Sequence, residues 1–278
     1  MRPERIVNAA MWIWTLLVCV FILAPLVVLI AISFTADEYI SLPWHGFGLR
    51  WYADMLNRSD FLEAARNSAL LMVEAAVTAV VFGTLVAIAL TRYRFAGRGL
   101  IALIASAPMF VPLVMTGLAI LIMFSNYNIG GPAVRLYVGH VALTVPYVIR
   151  LVSASTTGFD WNQEVAAQNL GASPLRAFLE ITLPQIAPGV IAGGVFALIV
   201  SFDDVGISIF LAGANYTTLP VELFAFASYN LTPMVASVSV VMIVFSALSV
   251  VLIERLFGVQ RMLSGEHPTR SQEKAATA

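Results

Sequence analysis

The sequence predicts an all-α membrane protein with six transmembrane helices. Apolar residues make up 60% of the 278 residues and charged residues only 11%, and the mean hydropathy is +0.89. Soluble domains usually carry about 25% charged residues, so this composition excludes a soluble globular protein. The formal net charge of -1 also excludes a basic nucleic-acid-binding protein.

Six long apolar stretches fit the length of roughly 20 residues that a helix needs to cross the hydrocarbon core of a bilayer. The first stretch is longer than the apolar core of a signal peptide, roughly 7–15 residues, so it is predicted to be a retained membrane helix. Residues 1–10 precede it, and the polar residues 258–278 are predicted to form a disordered tail. The stretches are residues 11–34, 67–91, 100–124, 132–154, 188–212 and 231–253, within a transmembrane domain of residues 11–257.

The distribution of basic residues predicts the orientation of these helices. Eleven of the fifteen Lys and Arg residues lie in the two terminal segments and in the even-numbered connections. The other four, Arg50, Arg58, Arg66 and Arg135, lie in the odd-numbered connections. Because cytoplasmic segments of membrane proteins are enriched in Lys and Arg, both termini are predicted to be cytoplasmic.

The connection between the fourth and fifth stretches, residues 155–187, is too long for a simple turn and is predicted to contain two short helices. The first covers residues 162–170 and ends at Gly171, because glycine accepts the positive φ that ends many helices. The second covers residues 174–182, with Ser173 as N-cap and proline at its first position. Pro184 is predicted to lie beyond its end.

Residues 164–172 read EVAAQNLGA and residues 181–184 read ITLP. This spacing resembles the EAA loop, whose pattern is EAA, three residues, Gly, nine residues, Ile, any residue and Leu-Pro. The EAA loop marks the inner-membrane permease subunits of bacterial ABC importers. One position departs from the pattern: Val165 occupies the place of the usual Glu, and Glu164 lies one residue earlier, which turns its side chain by about 100° around the helix.

Further segments resemble the polyamine branch of these permeases, the second permease of spermidine/putrescine importers. Neighbouring branches that carry opines, amino-acid derivatives, iron or thiamine share much of this sequence. The resemblance therefore indicates the superfamily more specifically than it indicates the polyamine branch. The similar segments are residues 67–70, 83–95, 201–205 and 213–220.

The resemblance implies a type I ABC importer permease fold that forms half of a translocation path for a polyamine or a related small cationic or amino-acid-derived solute. It also implies a bacterial inner-membrane location, a second and non-identical permease, two ATPase subunits and an extracytoplasmic binding protein. The ATPase subunits would bind ATP and magnesium, so this chain is expected to be a transport subunit without a cofactor and not an enzyme. The three histidines are dispersed in sequence, and no metal site is predicted.

The resemblance further implies that the loop between the fourth and fifth helices is a coupling loop that docks in a groove of an ATPase subunit. Small residues would permit close backbone approach there, and apolar side chains would anchor the loop. The residues expected to form this docking surface are Glu164, Val165, Ala166, Ala167, Leu170, Gly171, Ala172, Phe178, Ile181 and Pro184.

Carboxylates inside a membrane span are costly, at about 2.5 kcal/mol or more, and are therefore candidates for function. Asp203 and Asp204 lie about 22 Å from Pro188 at helical rise, toward the outer face. We expect one of them to line the path and attract a cationic amine, and the other to bind a neighbouring span or the backbone. The alternative is that both are structural or cap a break near Gly206.

Other polar and aromatic residues are weaker candidates for the path. Glu74 is expected to link helices, and the alternatives are that it pairs with an arginine of the partner permease, is protonated or lines the path. Phe202 and Tyr229 could contact a cationic solute, with packing as the alternative, and Glu222 could meet the binding protein. Pro108 and Pro112 are expected to bend the third span and to place residues 109–111 in a cavity wall, again with packing as the alternative.

An alternative function is an ATP-independent secondary carrier in which Asp203, Asp204 and Glu74 relay protons. Secondary carriers are often built from inverted repeats, and the sequence shows no such repeat. The alternative therefore depends on the three carboxylates alone.

Overall fold

The computed structural model describes residues 3–40 and 46–257, so the predicted tail at 258–278 lies outside the described residues. The described part is helical, as predicted, and the first helix already begins within the segment 1–10. The helices are α1 (Pro3–Ser33), α2 (Arg50–Leu56), α3 (Ser59–Arg92), α4 (Arg98–Ser106), α5 (Leu113–Tyr127), α6 (Pro132–Ser155), α7 (Asn162–Asn169), α8 (Pro174–Ala177), α9 (Leu183–Phe202), α10 (Ser208–Leu211), α11 (Leu219–Tyr229) and α12 (Pro233–Phe257).

Five helices of the described part are long and apolar enough to cross a membrane, and a bent pair supplies a sixth candidate. The bent pair consists of Arg98–Met109 and Leu113–Tyr127, which meet at 104°. A 3-10 turn, Ala107–Met109, and Pro112 lie at this break. Proline has no backbone N–H and clashes with the preceding turn of a helix, which explains the break. The 104° angle confirms the predicted bend in the third span.

The fifth span differs from the prediction of residues 188–212. A π-helical turn, Phe178–Thr182, joins α8 directly to α9, so the second loop helix does not end before Pro184. Pro184 lies in the first turn of α9, where its missing N–H costs little, and Pro188 lies inside the helix rather than at its start. The helix ends at Phe202, ten residues earlier than predicted.

The chain divides into two compact units, which we describe separately. The first consists of residues up to Glu63 together with Glu222–Phe245. Within it, the Ser237 hydroxyl donates a hydrogen bond of 3.1 Å to the carbonyl oxygen of Ser33. The Phe61 and Phe226 rings meet edge to face with centroids 5.5 Å apart.

The second unit, described here over Ala64–Val221 and from Ser246 onward, is built around the packing of α6 against α9. Glycines allow this close approach. A Cβ atom at Gly193 would lie 3.1 Å from Cα of Val148, and a Cβ at Gly83 of α3 would lie 2.8 Å from Cβ of Val148. Val148 itself is fully buried between them. Gly193 lies in a run of small residues, 192–194, and small residues let membrane helices pack closely.

Candidate functional site

The loop between α6 and α9 has the predicted helix and glycine stop. Gly171 has a φ of +98°, a conformation that favours glycine. Its N–H donates to the Gln168 carbonyl at 3.0 Å, and the Ala172 N–H donates to the Ala167 carbonyl at 3.0 Å. The predicted N-cap is also present, since Ser173 Oγ accepts a hydrogen bond of 3.3 Å from the Arg176 N–H.

Apolar side chains of this loop face solvent. Leu170 is 90% exposed and Val165 is 48% exposed. Leu175 and Leu179, which sequence reasoning missed, are 68% and 49% exposed. Their i, i+4 spacing places them on one side of the segment and is the signal that could have identified them. We call Val165, Leu170, Leu175 and Leu179 the exposed apolar surface.

The other residues predicted for docking differ in exposure. Ala166, Gly171 and Pro184 are exposed, whereas Ala167, Ala172 and Ile181 are half-buried. Phe178 is half-buried as well, because it packs against the core between α6 and α9.

Glu164, which was expected to form part of the docking surface, instead faces inward and is only 2% exposed. Both of its carboxylate oxygens lie 2.9 Å from Nη1 of Arg92, at the end of α3. The Thr182 hydroxyl donates to Oε2 at 2.8 Å, and the Gln168 side-chain amide donates to Oε1 at 3.3 Å. These partners determine which way the Glu164 side chain points. Arg92 and Thr182 lie far from Glu164 in the sequence, whereas Gln168 lies on the next turn of α7.

A cavity of about 610 Å³ opens beside the end of α9. The bent segment between α4 and α5 forms one wall, so the predicted placement of residues 109–111 at a cavity wall is confirmed. Tyr147 of α6 also lines the cavity. The lining residues are Pro108, Met109, Phe110, Val111, Pro112, Leu113, Leu143, Tyr147, Ile199, Val200, Asp203 and Asp204.

The two adjacent carboxylates have different surroundings. Asp203 is exposed at the cavity, whereas Asp204 is 7% exposed. Asp204 Oδ2 accepts hydrogen bonds of 3.2 Å from the Ile207 N–H and 3.0 Å from the Ser208 N–H. Asp204 therefore caps α10 beside Gly206, and Asp203 is left to face the cavity. That Asp203 contacts the solute remains a prediction.

His140 is a buried polar residue that sequence reasoning did not assign to any role. It is 1% exposed. Its Nδ1 lies 2.7 Å from the Ser201 hydroxyl and its Nε2 lies 2.8 Å from the Ser208 hydroxyl. Ser208 also donates to Asp204 at 2.8 Å, so a continuous polar network joins α6, α9 and α10. A histidine within an apolar span was the available signal.

None of the remaining path candidates is among the described residues that line this cavity. Glu74 is exposed in a separate groove of about 560 Å³ between α3 and α6, near Val77 and Tyr137. Phe202 is buried. Tyr229, 89% exposed, and Glu222 belong to the first unit. A hydrogen bond to Asp60 raises the pKa of Arg58 there, and the charge of Glu222 contributes in the same direction.

We expect Glu74→Gln to leave the melting temperature of the purified chain within about 2 °C of the wild-type value. An exposed side chain usually contributes within about 0.5 kcal/mol to folding, and 1 kcal/mol corresponds to about 2–4 °C in a chain of roughly this size. Thermal unfolding in detergent measures the effect. A decrease of more than about 5 °C would instead support the prediction that Glu74 links helices within this chain.

Membrane-spanning helices around a mostly apolar cavity that contains two Asp side chains, together with an exposed helical loop, are the features of a transport permease. The sequence profile of the family described as "Binding-protein-dependent transport system inner membrane component" matches residues 79–259, more than half of the chain. The chain belongs to this family and is a multi-pass transport permease.

Individual relatives include polyamine permeases and a sulfate permease. The chain is 33% identical over 245 residues to the spermidine/putrescine transport system permease protein PotC of Haemophilus influenzae, covering 88% of this chain and 93% of that protein. It is 34% identical over 220 residues to the putrescine transport system permease protein PotI of Escherichia coli K12, covering 77% and 78%. The sulfate transport system permease protein CysT of Salmonella typhimurium is 29% identical over 210 residues, covering 71% and 72%.

Solved structures share the fold. A chain of a bacterial ABC transporter involved in the import of the acidic polysaccharide alginate has a TM-score of 0.74 at 18% identity, covering 92% of this chain and 98% of that chain. A chain of the MetNI methionine ABC transporter has a TM-score of 0.59 at 17% identity, covering 73% and 95%. These neighbours confirm the predicted type I ABC importer permease fold.

Proposed function

We propose that the chain forms half of the translocation path of an ATP-driven importer of a polyamine or a related small cationic or amino-acid-derived solute. One observation carries this proposal. The cavity beside α9 presents the exposed Asp203 together with Tyr147 and Phe110, and its lining within the described residues contains two Asp side chains but no Lys or Arg. The permeases named above for spermidine and putrescine support the same solute class.

The chemistry of this cavity favours a cation over an anion. A carboxylate attracts an ammonium group, and an aromatic face adds a cation–π contact of about 0.5–2 kcal/mol. Contacts of this strength hold a solute but still release it. The relatives that carry sulfate or alginate move anions, which the Asp side chains would repel, so the cavity favours the polyamine relatives as the guide to the solute.

We infer that the chain works with a second, non-identical permease, two ATPase subunits and an extracytoplasmic binding protein in a bacterial inner membrane. The exposed apolar surface of the loop would dock on an ATPase subunit, because exposed apolar patches often mark protein contacts. ATP and magnesium would be held by that subunit. The distribution of basic residues supports cytoplasmic termini and a cytoplasmic loop.

Reconstitution tests this proposal directly. The complex of both permeases and the ATPase subunits is placed in proteoliposomes with its binding protein, and uptake of radiolabelled spermidine and putrescine is measured with and without ATP. We expect uptake that requires ATP and the binding protein, with labelled sulfate as the negative control. Polyamine uptake that is unaffected by omission of ATP would contradict the proposed function.

In this assay we expect Asp203→Asn to lower polyamine uptake about tenfold, which corresponds to about 1.4 kcal/mol, with unchanged assembly of the complex. The loss follows because Asp203 is the one exposed carboxylate among the described residues that line the cavity, and Asp203→Glu should retain most activity. Glu38→Gln is the matched control, because Glu38 is an exposed acid with a 3.5 Å ion pair to Arg50. Equal uptake by Asp203→Asn and the wild type would show that the Asp203 carboxylate does not contribute to solute transport.

The carrier alternative receives less support from the geometry. A proton relay through Asp203, Asp204 and Glu74 would require the three carboxylates to lie along one route. Glu74 lies in a separate groove, and Asp204 is held by the backbone of α10. We therefore propose only the ATP-driven function.

A further inference from the structure

The carboxylate of Glu164 joins three helical elements. Arg92, the last residue of α3, contributes a guanidinium, and Thr182, in the π-helical turn before α9, contributes a hydroxyl. Gln168 of α7 itself contributes an amide at 3.3 Å. The loop helix is thus fixed through one buried side chain to the ends of two membrane-spanning helices.

Aromatic rings hold the cation of this ion pair in place. Cζ of Arg92 lies 5.1 Å from the ring centroid of Trp161 and 5.2 Å from that of Tyr93. The Trp161 ring in turn meets Phe159 edge to face at 4.6 Å. The Arg92 side chain is 22% exposed and the Glu164 side chain 3% exposed, so water has little access to the pair.

A second hydrogen bond supports the same connection. The side-chain amide of Gln185, in the first turn of α9, donates to Oε1 of Gln163 at 2.8 Å. Gln163 and Glu164 of α7 therefore contact the start of α9 and the π-helical turn before it. Val165, the next residue of α7, points outward. The loop helix has one side bound to the membrane helices and another side that is free for a partner.

We propose that Glu164 and Arg92 are positioning residues that transmit movement of the loop to α3 and α9. This inference rests on the proposed function, in which an ATPase subunit moves the loop. Separating a buried ion pair is costly because each charge would be left without a partner. A displacement of α7 therefore shifts the ends of α3 and α9 with it instead of sliding past them.

The far end of α9 connects this movement to the cavity. The helix has 20 residues, or about 30 Å at helical rise, and Asp203 follows its last residue. A shift at the loop end of α9 thus reaches the exposed carboxylate at the cavity. Glu164 and Arg92 act on the solute through the helix and touch neither the solute nor the nucleotide.

The test compares Glu164→Gln and Arg92→Gln with the double exchange Glu164→Arg/Arg92→Glu in the reconstituted complex. Co-purification of the ATPase, ATP hydrolysis and solute uptake are measured on the same preparations. Glu180→Gln is the matched control, because it removes an exposed ion pair of the same loop, Arg176–Glu180 at 2.9 Å with side chains 68% and 61% exposed.

We expect both single variants to retain the ATPase and its hydrolysis while solute uptake per ATP falls about tenfold, within the usual range of coupling between sites. The double exchange should recover uptake above either single variant, and Glu180→Gln should match the wild type. Unchanged uptake per ATP in the single variants would overturn the inference. Parallel loss of ATPase binding and hydrolysis would also overturn it, because the pair would then only stabilise the fold.

The wild-type complex separates this inference from the proposed function. Wild-type proteoliposomes without ATP-dependent uptake contradict the proposed function and the inference together. Wild-type proteoliposomes with uptake, beside fully active Glu164→Gln and Arg92→Gln variants, contradict the inference alone.

Discussion

Gly171→Asp is expected to abolish binding of the ATPase subunit while the membrane helices remain folded. Gly171 follows α7 with a φ of +98°, and no neighbouring heavy atom lies within 4 Å of the position that a Cβ atom would take. A Cβ atom at this position therefore meets no heavy atom beyond the residues that adjoin Gly171 in the chain. The new side chain places strain of about 1–3 kcal/mol and a negative charge at the C-terminal end of α7, where the helix dipole disfavours anions, beside the exposed Leu170.

The measurement is co-purification of the ATPase with the tagged chain, in which we expect a loss of at least about tenfold, equivalent to about 1.4 kcal/mol. Gly158→Asp is the matched control. Gly158 lies in the same loop, has a φ of +89° and also has open space around its Cβ position, so it carries equal strain outside the exposed apolar surface. Similar ATPase binding by the two variants would contradict a docking role for Gly171.

Asp204→Ala is expected to lower the free energy of unfolding by about 3 kcal/mol, because each buried donor left without an acceptor costs about 1–3 kcal/mol. The variant removes the acceptor for the Ile207 and Ser208 N–H groups and for the Ser208 hydroxyl. The other end of α10 is held separately, by Arg135 Nε donating to the Leu211 carbonyl at 2.6 Å.

Thermal unfolding in detergent checks this second prediction. A loss of this size corresponds to a decrease in melting temperature of roughly 6–12 °C. Asp203→Ala is the matched control, because it removes the adjacent but exposed carboxylate and should shift the melting temperature by no more than about 2 °C. Equal shifts for the two variants would show that the neighbouring acids do not differ in structural role.

Hydropathy and local capping signals were sufficient to predict much of the fold. The six apolar stretches correspond to the candidate spans, and Gly171 and Ser173 end and begin helices as predicted. These features depend on residues close together in sequence. The bend of the third span also depends on a nearby residue, because Pro112 interrupts the helix at its own position.

One error arose from hydrogen bonds between residues close together in sequence, and the others arose where distant residues decide the structure. The end of α9 was missed because Asp204 binds the backbone of Ile207 and Ser208 instead of continuing the helix. The direction of Glu164 depends on Arg92, which lies 72 residues earlier in the chain. His140 was missed for the same reason, because its serine partners are 61 and 68 residues away.

The packing of Val148 between Gly83 and Gly193 has an evolutionary consequence. A Cβ atom at residue 83 would overlap with the Val148 side chain, and a Cβ atom at residue 193 would press tightly against Val148, unless residue 148 becomes smaller. The three positions are therefore expected to vary as a set among relatives. In a random library, a functional clone that enlarges residue 83 or 193 should carry a smaller residue at 148.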